Sequence, residues 1–237
     1  MSVLVFFCTI YCTIKRLMKL KVQFAIFCIR YIRNWVTVLV ALWHKTGSTI
    51  LMRNGLVFHT PNTFQTVSVL REIFSAGVYD ISGLPAKPTI VDVGAYIGTF
   101  ALFAIQKYPG AKILCFEPEK ENFACLLKNT KPYPSIHCIN AAIGDSEGER
   151  TFFVRGAGFG TNSLYRSKGA VPVTVHCTTL KAAVTETVDL LKLDCEGAEA
   201  EIVRSLPDNI RKIVLEWPRN NPPLPSLPIP VVLAKKV

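Results

Sequence analysis

Three acids and one lysine lie close together in KLDCEGAE, residues 192–199, directly after an apolar run. When a bond forms to a substrate hydroxyl, a carboxylate can accept the hydroxyl proton, and an ammonium can orient a substrate oxygen. Asp194 and Glu196 are therefore the candidate bases, and Lys192 is the candidate orienting residue. The structural alternative is that one acid caps the following helix while Glu199 interacts with the helix dipole. Because capping requires only one side chain, the cluster favours a functional site.

Two glycines four residues apart, Gly94 and Gly98, separate the apolar run TIVDV from a segment of helical length. Glycine at a strand-to-helix turn allows the backbone to approach a ligand closely. A second apolar run, KILCF, is followed by Glu117, 23 residues after Gly94, where an acid can accept hydrogen bonds from ribose hydroxyls. The alternative is a plain tight turn, with Glu117 favoured by the dipole of the next helix.

The spacing of the glycines narrows the class of nucleotide. Dinucleotide sites use G-x-G-x-x-G, which is absent here, and no G-x-x-x-x-G-K-[ST] run occurs. A ligand with a ribose and a cationic end but no phosphate fits better, which indicates S-adenosylmethionine. Asp92 would then lie near its amino acid part and Glu117 near its ribose. A nicotinamide-dependent oxidoreductase is the alternative, and the missing third glycine counts against it.

The elements that must position these residues follow an α/β pattern. From Pro88 onward, short apolar runs alternate with segments of helical length, which predicts a doubly wound, mostly parallel sheet. Ligands bind outside the carboxyl ends of parallel strands, so Asp194, Gly94 and Glu117 are expected to share one crevice. Two further predicted strands, 149–155 and 171–177, flank a glycine-rich loop that suits the rim of a substrate site.

The segments outside this core have their own signals. Asn54-Gly55 between short apolar runs predicts a hairpin, and residues 63–79 predict a helix that ends near Gly77. Prolines crowd the last twenty residues, which predicts an extended tail with at most a short edge strand at VVLA. The predicted organisation is a helical extension (1–47), a hairpin and helix before the core (48–87), the core (88–217) and the proline-rich tail (218–237).

The net charge of +10 is concentrated at one end of the chain. Residues 1–71 contain no Asp or Glu, whereas the remainder is close to neutral. A broad basic footprint over the core is therefore missing, and we predict no nucleic-acid partner. The eight cysteines form no C-x-x-C pair, so we predict neither a metal site nor a disulfide framework, and a cytoplasmic setting follows.

The first 47 residues combine a narrow basic stripe with a broad apolar body. On a helical wheel the basic and polar side chains of residues 12–44 occupy one sector, and the rest are almost all apolar. This pattern predicts a helix in the surface of an anionic membrane, on the cytoplasmic face. A single membrane span would place Arg30 and Arg33 at mid-membrane, which is unfavourable. The alternative is helices that pack on the globular domain.

Four stretches, in this order, resemble the FkbM-type methyltransferase family: TIVDVGAYIGTF, FEPEKENF, NAAIGDSEG and VDLLKLDCEGAE. The similarity covers roughly residues 70–217. The resemblance implies a Rossmann-like, doubly wound sheet of the class I methyltransferase type, here with an N-terminal helical extension. It also implies an S-adenosylmethionine-dependent enzyme that methylates hydroxyl groups, often on sugars or glycosylated metabolites.

The resemblance also assigns roles to individual positions. It implies that Glu216 reaches the substrate side, and the alternative is a buried structural acid. It implies a catalytic or substrate site at Lys192, Asp194 and Glu196. It implies a cofactor site at Asp92, Gly94, Ala95, Gly98 and Glu117, with Asn140 and Ala142 near the adenine.

Two departures from the family pattern leave an alternative open. Tyr96 stands where the family commonly has asparagine, and the proline-rich tail replaces the usual final antiparallel strand pair. A catalytically inactive, membrane-attached homologue that binds the cofactor is therefore the competing reading, although the acids Asp194 and Glu196 are intact. The sequence predicts an O-methyltransferase whose partner is a small-molecule or glycan acceptor, with a sugar, glycan or glycolipid hydroxyl as the methylated group.

Overall fold

The computed structural model describes residues 22–154, 169–195, 197–217 and 222–234. The described part of the chain opens with two helices, α1 (described over residues 22–31) and α2 (Trp35–His44). An antiparallel hairpin follows, β1 (Ser48–Leu51) and β2 (Val57–Thr60), with Gly55 at its tip in the left-handed region. The hairpin predicted from Asn54-Gly55 is thereby confirmed.

One helix connects the hairpin to the core. The side chain of Asn62 accepts a hydrogen bond from the Gln65 N–H and caps the start of α3 (Thr63–Arg71). The helix continues through a π-helical turn, Glu72–Ala76, and ends at Gly77 with φ of 62°. The predicted helix end near Gly77 is confirmed, because glycine adopts this left-handed conformation without steric cost.

The core alternates strands and helices. In chain order its elements are β3 (Thr89–Val93), α4 (Thr99–Lys107), β4 (Lys112–Phe116), α5 (Lys120–Thr130), β5 (Ile136–Ile139), β6 (Ala142–Ile143), β7 (Gly148–Val154), β8 (Val171–Thr178), α6 (Leu180–Ala183), β9 (Leu190–Leu193), α7 (Glu199–Arg204), β10 (Ile213–Leu215) and β11 (Val231–Leu233).

The central sheet has six strands in the order β11-β10-β9-β3-β4-β5, and every neighbouring pair is parallel. The predicted doubly wound, Rossmann-like α/β fold is confirmed. The chain leaves β3 toward β4 and β5 on one side, and later returns to build β9, β10 and β11 on the other side. The strand order therefore reverses between β3 and β9, which is where sheets of this kind open a crevice for a ligand.

Each face of the central sheet packs against its own hydrophobic cluster. Because side chains alternate along a strand, Ile90 of β3 faces one cluster, and Val91 and Val93 face the other. Asp92 and Lys192 are direct partners across β3 and β9. They lie on the same face of the sheet as Ile90, so a carboxylate and an ammonium group are buried beside the apolar cluster on that face.

The remaining strands lie outside the central sheet. β6, β8 and β7 form a three-stranded sheet of their own. The glycine-rich loop predicted at the substrate rim lies outside the described residues, except for its end at Gly169. The short edge strand predicted in the tail is confirmed as β11. β11 pairs parallel with β10. A parallel pair requires a long connection that returns to the same end of the sheet, and the chain between β10 and β11 is long enough for this.

The two N-terminal helices pack against the core. Phe24, Phe27 and Cys28 of α1 and Val38 of α2 belong to the same buried cluster as the central sheet. Residues 1–21 of the predicted helical extension lie outside the described residues. None of the helices within the described ranges has the length and apolar character that a membrane span requires.

Candidate functional site

The carboxyl ends of four adjacent strands open into one cavity of about 280 Å³. Gly94 follows β3, Glu117 follows β4, Asp194 follows β9 and Glu216 follows β10, and all four line this cavity. Parallel strands end at the same sheet edge, so residues far apart in the sequence meet there. The structure thus brings together the glycine turn with Glu117 and the acidic cluster of residues 192–199, which are separate motifs in the sequence.

The backbone at the reversal point is closely packed because of Gly94. Its φ is 77°, and a Cβ at this position would lie 1.9 Å from the carbonyl oxygen of Asp194. Only glycine satisfies both the left-handed backbone and this contact. Gly98, with φ of 90°, begins α4, and a Cβ there would meet Leu126 Cδ1 at 2.9 Å. Gly98 therefore serves helix packing, whereas Gly94 forms part of the cavity wall.

Glu117 is a buried acid that faces the cavity. Its carboxylate accepts hydrogen bonds from the N–H groups of Tyr96, at 2.9 Å, and Glu119, at 3.0 Å. Burial raises the pKa of Glu117 to about 8, although the two N–H groups oppose the shift, and the nearby Glu119 carboxylate adds to it. An acid held in place by backbone donors is suited to accept hydrogen bonds from a ligand's hydroxyl groups.

Lys192 and Asp92 form a buried ion pair below the cavity. Lys192 Nζ lies 3.0 Å from Asp92 Oδ1 and 3.8 Å from Asp194 Oδ2, and it donates a hydrogen bond to the Gly94 carbonyl at 2.7 Å. Burial alone would lower the pKa of Lys192, but the Asp92 and Asp194 carboxylates raise it, so the ammonium stays charged. Asp92 lies behind Lys192 and does not line the cavity.

Asp194 reaches the cavity and is held by a tyrosine. Its side chain is 28% exposed, and the Tyr79 hydroxyl donates a hydrogen bond to Oδ2 at 3.0 Å. The same hydroxyl lies 3.4 Å from Glu216 Oε1. Burial, followed by the charges of Asp194 and Glu216, raises the pKa of Tyr79 well above its usual value, so the phenol remains a donor.

Tyr79 was not predicted from the sequence. It precedes β3 by ten positions, in a segment without helix or strand, and no motif marks it. Its packing partner Phe100, at a centroid distance of 5.3 Å, comes from α4. The signal that would have identified it is contact with Asp194, which only the folded chain provides.

The acids in the loop after β9 have different surroundings: Glu199 is bound to the loop backbone, whereas Asp194 lines the cavity. Glu199 is fully buried, and its carboxylate accepts hydrogen bonds from the N–H groups of Cys195, at 2.9 Å, and Gly197, at 2.7 Å. Both donors precede α7, whose N-cap residue Ala198 receives no side-chain hydrogen bond, so Glu199 supports the loop before the helix. The capping raised as an alternative from the sequence is not seen among the described residues. Glu196 lies outside the described residues.

Three other residues that the family resemblance assigned to the cofactor site, Ala142, Asn140 and Ala95, differ in whether they line the cavity. Ala142 lines the cavity. Asn140 does not, since its exposed side chain donates to the Glu117 and Pro118 carbonyls and supports the turn after β4. Ala95 is buried, and its N–H donates to the Phe116 carbonyl. Asn140 and Ala95 therefore support the site by hydrogen bonds to backbone carbonyls at the end of β4.

Tyr96, the departure from the family pattern, lies at φ of 54° in the left-handed region. Asparagine tolerates this conformation better than most residues. The Tyr96 ring is buried, its hydroxyl lies 3.0 Å from that of Thr66, and burial raises its pKa to about 12. The backbone N–H of Tyr96 still donates to Glu117, so the acid keeps its support.

Within the described ranges, no group of three or more His, Cys, Asp or Glu side chains could hold a metal ion. The site instead suits a nucleoside-like ligand. The glycine turn allows close approach, Glu117 presents oxygen acceptors on one side, and Lys192 and Asp194 present charged groups on the other.

Comparison with known proteins agrees with this geometry. Residues 92–223, more than half of the chain, match the family model described as the methyltransferase FkbM domain. The chain is similar to methyltransferase sdnD of Sordaria araneosa, with 30% identity over 208 residues that cover 70% of this chain and 80% of the relative. It is also similar to the 31-O-demethyl-FK506 methyltransferase FkbM of Streptomyces tacrolimicus, with 33% identity over 44% of this chain and 42% of the relative.

Among solved structures, the chain is similar to that of methyltransferase FkbM from Methylobacillus flagellatus KT. The TM-score is 0.39 and the sequence identity is 18%, and the match covers 53% of this chain and 31% of that chain.

Proposed function

Because the chain belongs to the FkbM methyltransferase family, we propose that it methylates a hydroxyl group with S-adenosylmethionine as the methyl donor. The observation that carries this proposal is the single cavity at the strand ends. Glu117 lies on one side of it and Asp194 on the other, and both side chains are fixed by hydrogen bonds from neighbouring groups.

The cofactor side is assigned to the first two strand ends. S-adenosylmethionine supplies an electrophilic methyl group when it is bound. Glu117 is placed to accept hydrogen bonds from the ribose hydroxyls, and Gly94 keeps the backbone clear of the ligand. Ala142 is the small residue that leaves room for the base. These residues fit the ligand because they combine a glycine turn with a buried acceptor that two backbone donors hold in place.

The acceptor side is assigned to Asp194. Its partly exposed carboxylate is placed to accept the proton that an acceptor hydroxyl loses when the oxygen gains the methyl group. Tyr79 holds this carboxylate by a hydrogen bond, and the Lys192 ammonium balances its charge from below. Positioning of the two reactants supplies most of the rate enhancement in such transfers, and the base adds to it.

A sugar, glycan or glycolipid hydroxyl is the proposed acceptor class. Transfer to oxygen is supported by the relative named as a 31-O-demethyl-FK506 methyltransferase. The saccharide is supported by the family resemblance of the sequence motifs. Methylation of small soluble phenols and of no saccharide by the purified, cofactor-loaded enzyme would overturn this part of the proposal.

Calorimetric titration of the purified protein with S-adenosylmethionine, S-adenosylhomocysteine and NAD tests the cofactor. We expect micromolar binding of the first two and none of NAD. Glu117→Ala should abolish the binding, whereas Glu121→Ala, which removes an exposed acid on α5, should leave it unchanged. Failure of the folded wild-type protein to bind either sulfur ligand would instead indicate the inactive homologue.

Asp194→Asn tests the proposed base. The amide keeps the shape of the side chain but cannot accept a proton, so we expect turnover to fall at least ~10²-fold. Affinity for S-adenosylhomocysteine should stay within about twofold, because Asp194 is assigned to the acceptor side. Unchanged turnover with a methylated acceptor would assign the base to another residue.

A further inference from the structure

Both N-terminal helices expose apolar side chains on the side that faces away from the domain. Ile26 and Ile29 of α1 lie three residues apart, and both are about half exposed. The neighbouring Phe24, Phe27 and Cys28 are buried in the core cluster. Burial of one side already anchors α1 to the domain, so the exposed isoleucines are not needed for folding.

The same arrangement recurs in α2 and ends in a tryptophan. Val36, Val40 and Trp43 follow the spacing of one helix face, and Trp43 is 83% exposed. Val38, on the other side of the helix, is fully buried. We name Ile26, Ile29, Val36, Val40 and Trp43 the N-terminal apolar surface. A largely exposed tryptophan among aliphatic residues is typical of surfaces that enter the membrane interface.

The charged side chains of α1, α2 and the residues that flank them have one sign. Arg30, Arg33 and Lys45 are exposed on α1, on α2 or at their ends, and the sequence contains no acid before Glu72. A partner with negative charge is therefore favoured. A second copy of the chain would bring like charges together, and residues 1–21, which are also basic and without acids, would do the same.

We propose that the N-terminal apolar surface docks the protein on a membrane that contains anionic lipids. The apolar side chains enter the interface, and the surrounding arginines and lysine contact the lipid phosphates and carboxylates. This inference does not depend on the methyl-transfer proposal, since none of these residues lines the cavity.

Sedimentation of the full-length protein with vesicles tests the proposal. The vesicles are phosphatidylcholine alone, or phosphatidylcholine with about one quarter phosphatidylserine. We expect at least ~10-fold tighter binding to the anionic vesicles, weakened by added salt. The emission of Trp43, assigned by comparison with Trp43→Phe, should shift to shorter wavelength when the anionic vesicles bind.

Matched variants locate the contact. Val36→Gln/Val40→Gln/Trp43→Gln should lower anionic-vesicle binding at least ~10-fold, and Arg30→Gln/Arg33→Gln/Lys45→Gln should do the same. The control Leu127→Gln/Val171→Gln, which changes exposed apolar residues elsewhere, should bind as the wild type does. Circular dichroism and thermal unfolding confirm that each variant is folded.

Three results would overturn the proposal. The first is a wild-type protein that ignores anionic vesicles. The second is unchanged binding by the Val36, Val40 and Trp43 variant, which would place the contact elsewhere. The third is a wild-type dimer that this variant converts to a monomer, with Trp43 shielded from a soluble quencher in the absence of vesicles. That result would identify the N-terminal apolar surface as a self-association surface.

Discussion

Two carboxylates at equivalent strand ends have different surroundings in this molecule. Glu117 is buried and receives two backbone N–H donors, whereas Asp194 is partly exposed and receives the Tyr79 hydroxyl. Environments that separate two acids in this way commonly separate their roles. A buried, firmly held acid is suited to binding, and an acid that reaches the cavity is suited to proton transfer.

The raised pKa of Glu117 predicts a pH dependence of cofactor binding. Ribose hydroxyls donate to the ionised carboxylate, and the free protein carries a neutral carboxyl below a pKa of about 8. Ligand binding therefore releases a proton, so affinity for S-adenosylhomocysteine should rise with pH, by up to about tenfold per unit, and level off above about pH 8. Titration calorimetry at several pH values measures this. The Glu117→Gln variant should lack the rise, and identical pH profiles in the two proteins would contradict the assignment.

Tyr79→Phe removes only the hydrogen bond to Asp194 and Glu216. A hydrogen bond to a charged group contributes about 1.5–3 kcal/mol, so turnover should fall roughly 10-fold or more, with little change in cofactor affinity. Turnover at saturating cofactor and acceptor, compared with the wild type, measures this loss.

Tyr108→Phe is the matched control for Tyr79. Its hydroxyl donates to the Ile81 carbonyl at 2.8 Å and takes no part in lining the cavity. We expect this variant to keep the wild-type turnover. Wild-type turnover in Tyr79→Phe as well would show that the hydrogen bond does not position the base.

At the scale of elements, the ends of β3 and β9 are held together through Gly94. Its backbone lies against the Asp194 carbonyl, and the Lys192 side chain donates to the Gly94 carbonyl at 2.7 Å. The two motifs are therefore one packed unit, in which a change in the glycine turn displaces the proposed base.

Gly94→Ala tests this unit against a matched glycine. The added Cβ would meet the Asp194 carbonyl oxygen at 1.9 Å, so we expect a loss of about 3 kcal/mol or more in the free energy of unfolding, together with lost cofactor binding. Gly55→Ala has a similar φ of 91° but nothing within 4 Å, and should cost about 1 kcal/mol. Chemical denaturation measures both. Equal losses would show that only backbone strain matters.

At the scale of the whole molecule, a buried amide links the hairpin to the core. Asn129 of α5 accepts from the His59 N–H at 2.7 Å, and donates to the carbonyls of His59, at 3.1 Å, and Ile97, at 2.9 Å. The residues before the core are thus connected to the cofactor turn, because Ile97 directly precedes Gly98.

Asn129→Ala should destabilise the entire chain. It removes the partner of the buried Ile97 carbonyl and of the partly buried His59 N–H and carbonyl, which predicts a loss of about 2–4 kcal/mol in the free energy of unfolding. Gln106→Ala is the control, since Gln106 joins the same hairpin to α4 through exposed hydrogen bonds to Asn54. It should cost less than about 1 kcal/mol. Similar losses in denaturant unfolding would contradict the role of burial.

The sequence by itself determined the alternation of strands and helices, the hairpin at Asn54-Gly55, the helix end at Gly77 and the family. Each of these depends on local signals, such as apolar periodicity, glycine conformation and contiguous motifs. It also selected Glu117 and Asp194, because acids at strand ends follow from the sheet order.

The tertiary structure alone decided which residues meet. It placed Tyr79 on Asp194, buried Asp92 behind Lys192, and turned Asn140 toward the backbone rather than the cavity. It also showed that α1 and α2 pack on the core with one side and expose apolar residues on the other. These features depend on contacts between segments that are distant along the chain, and local patterns carry no information about such contacts.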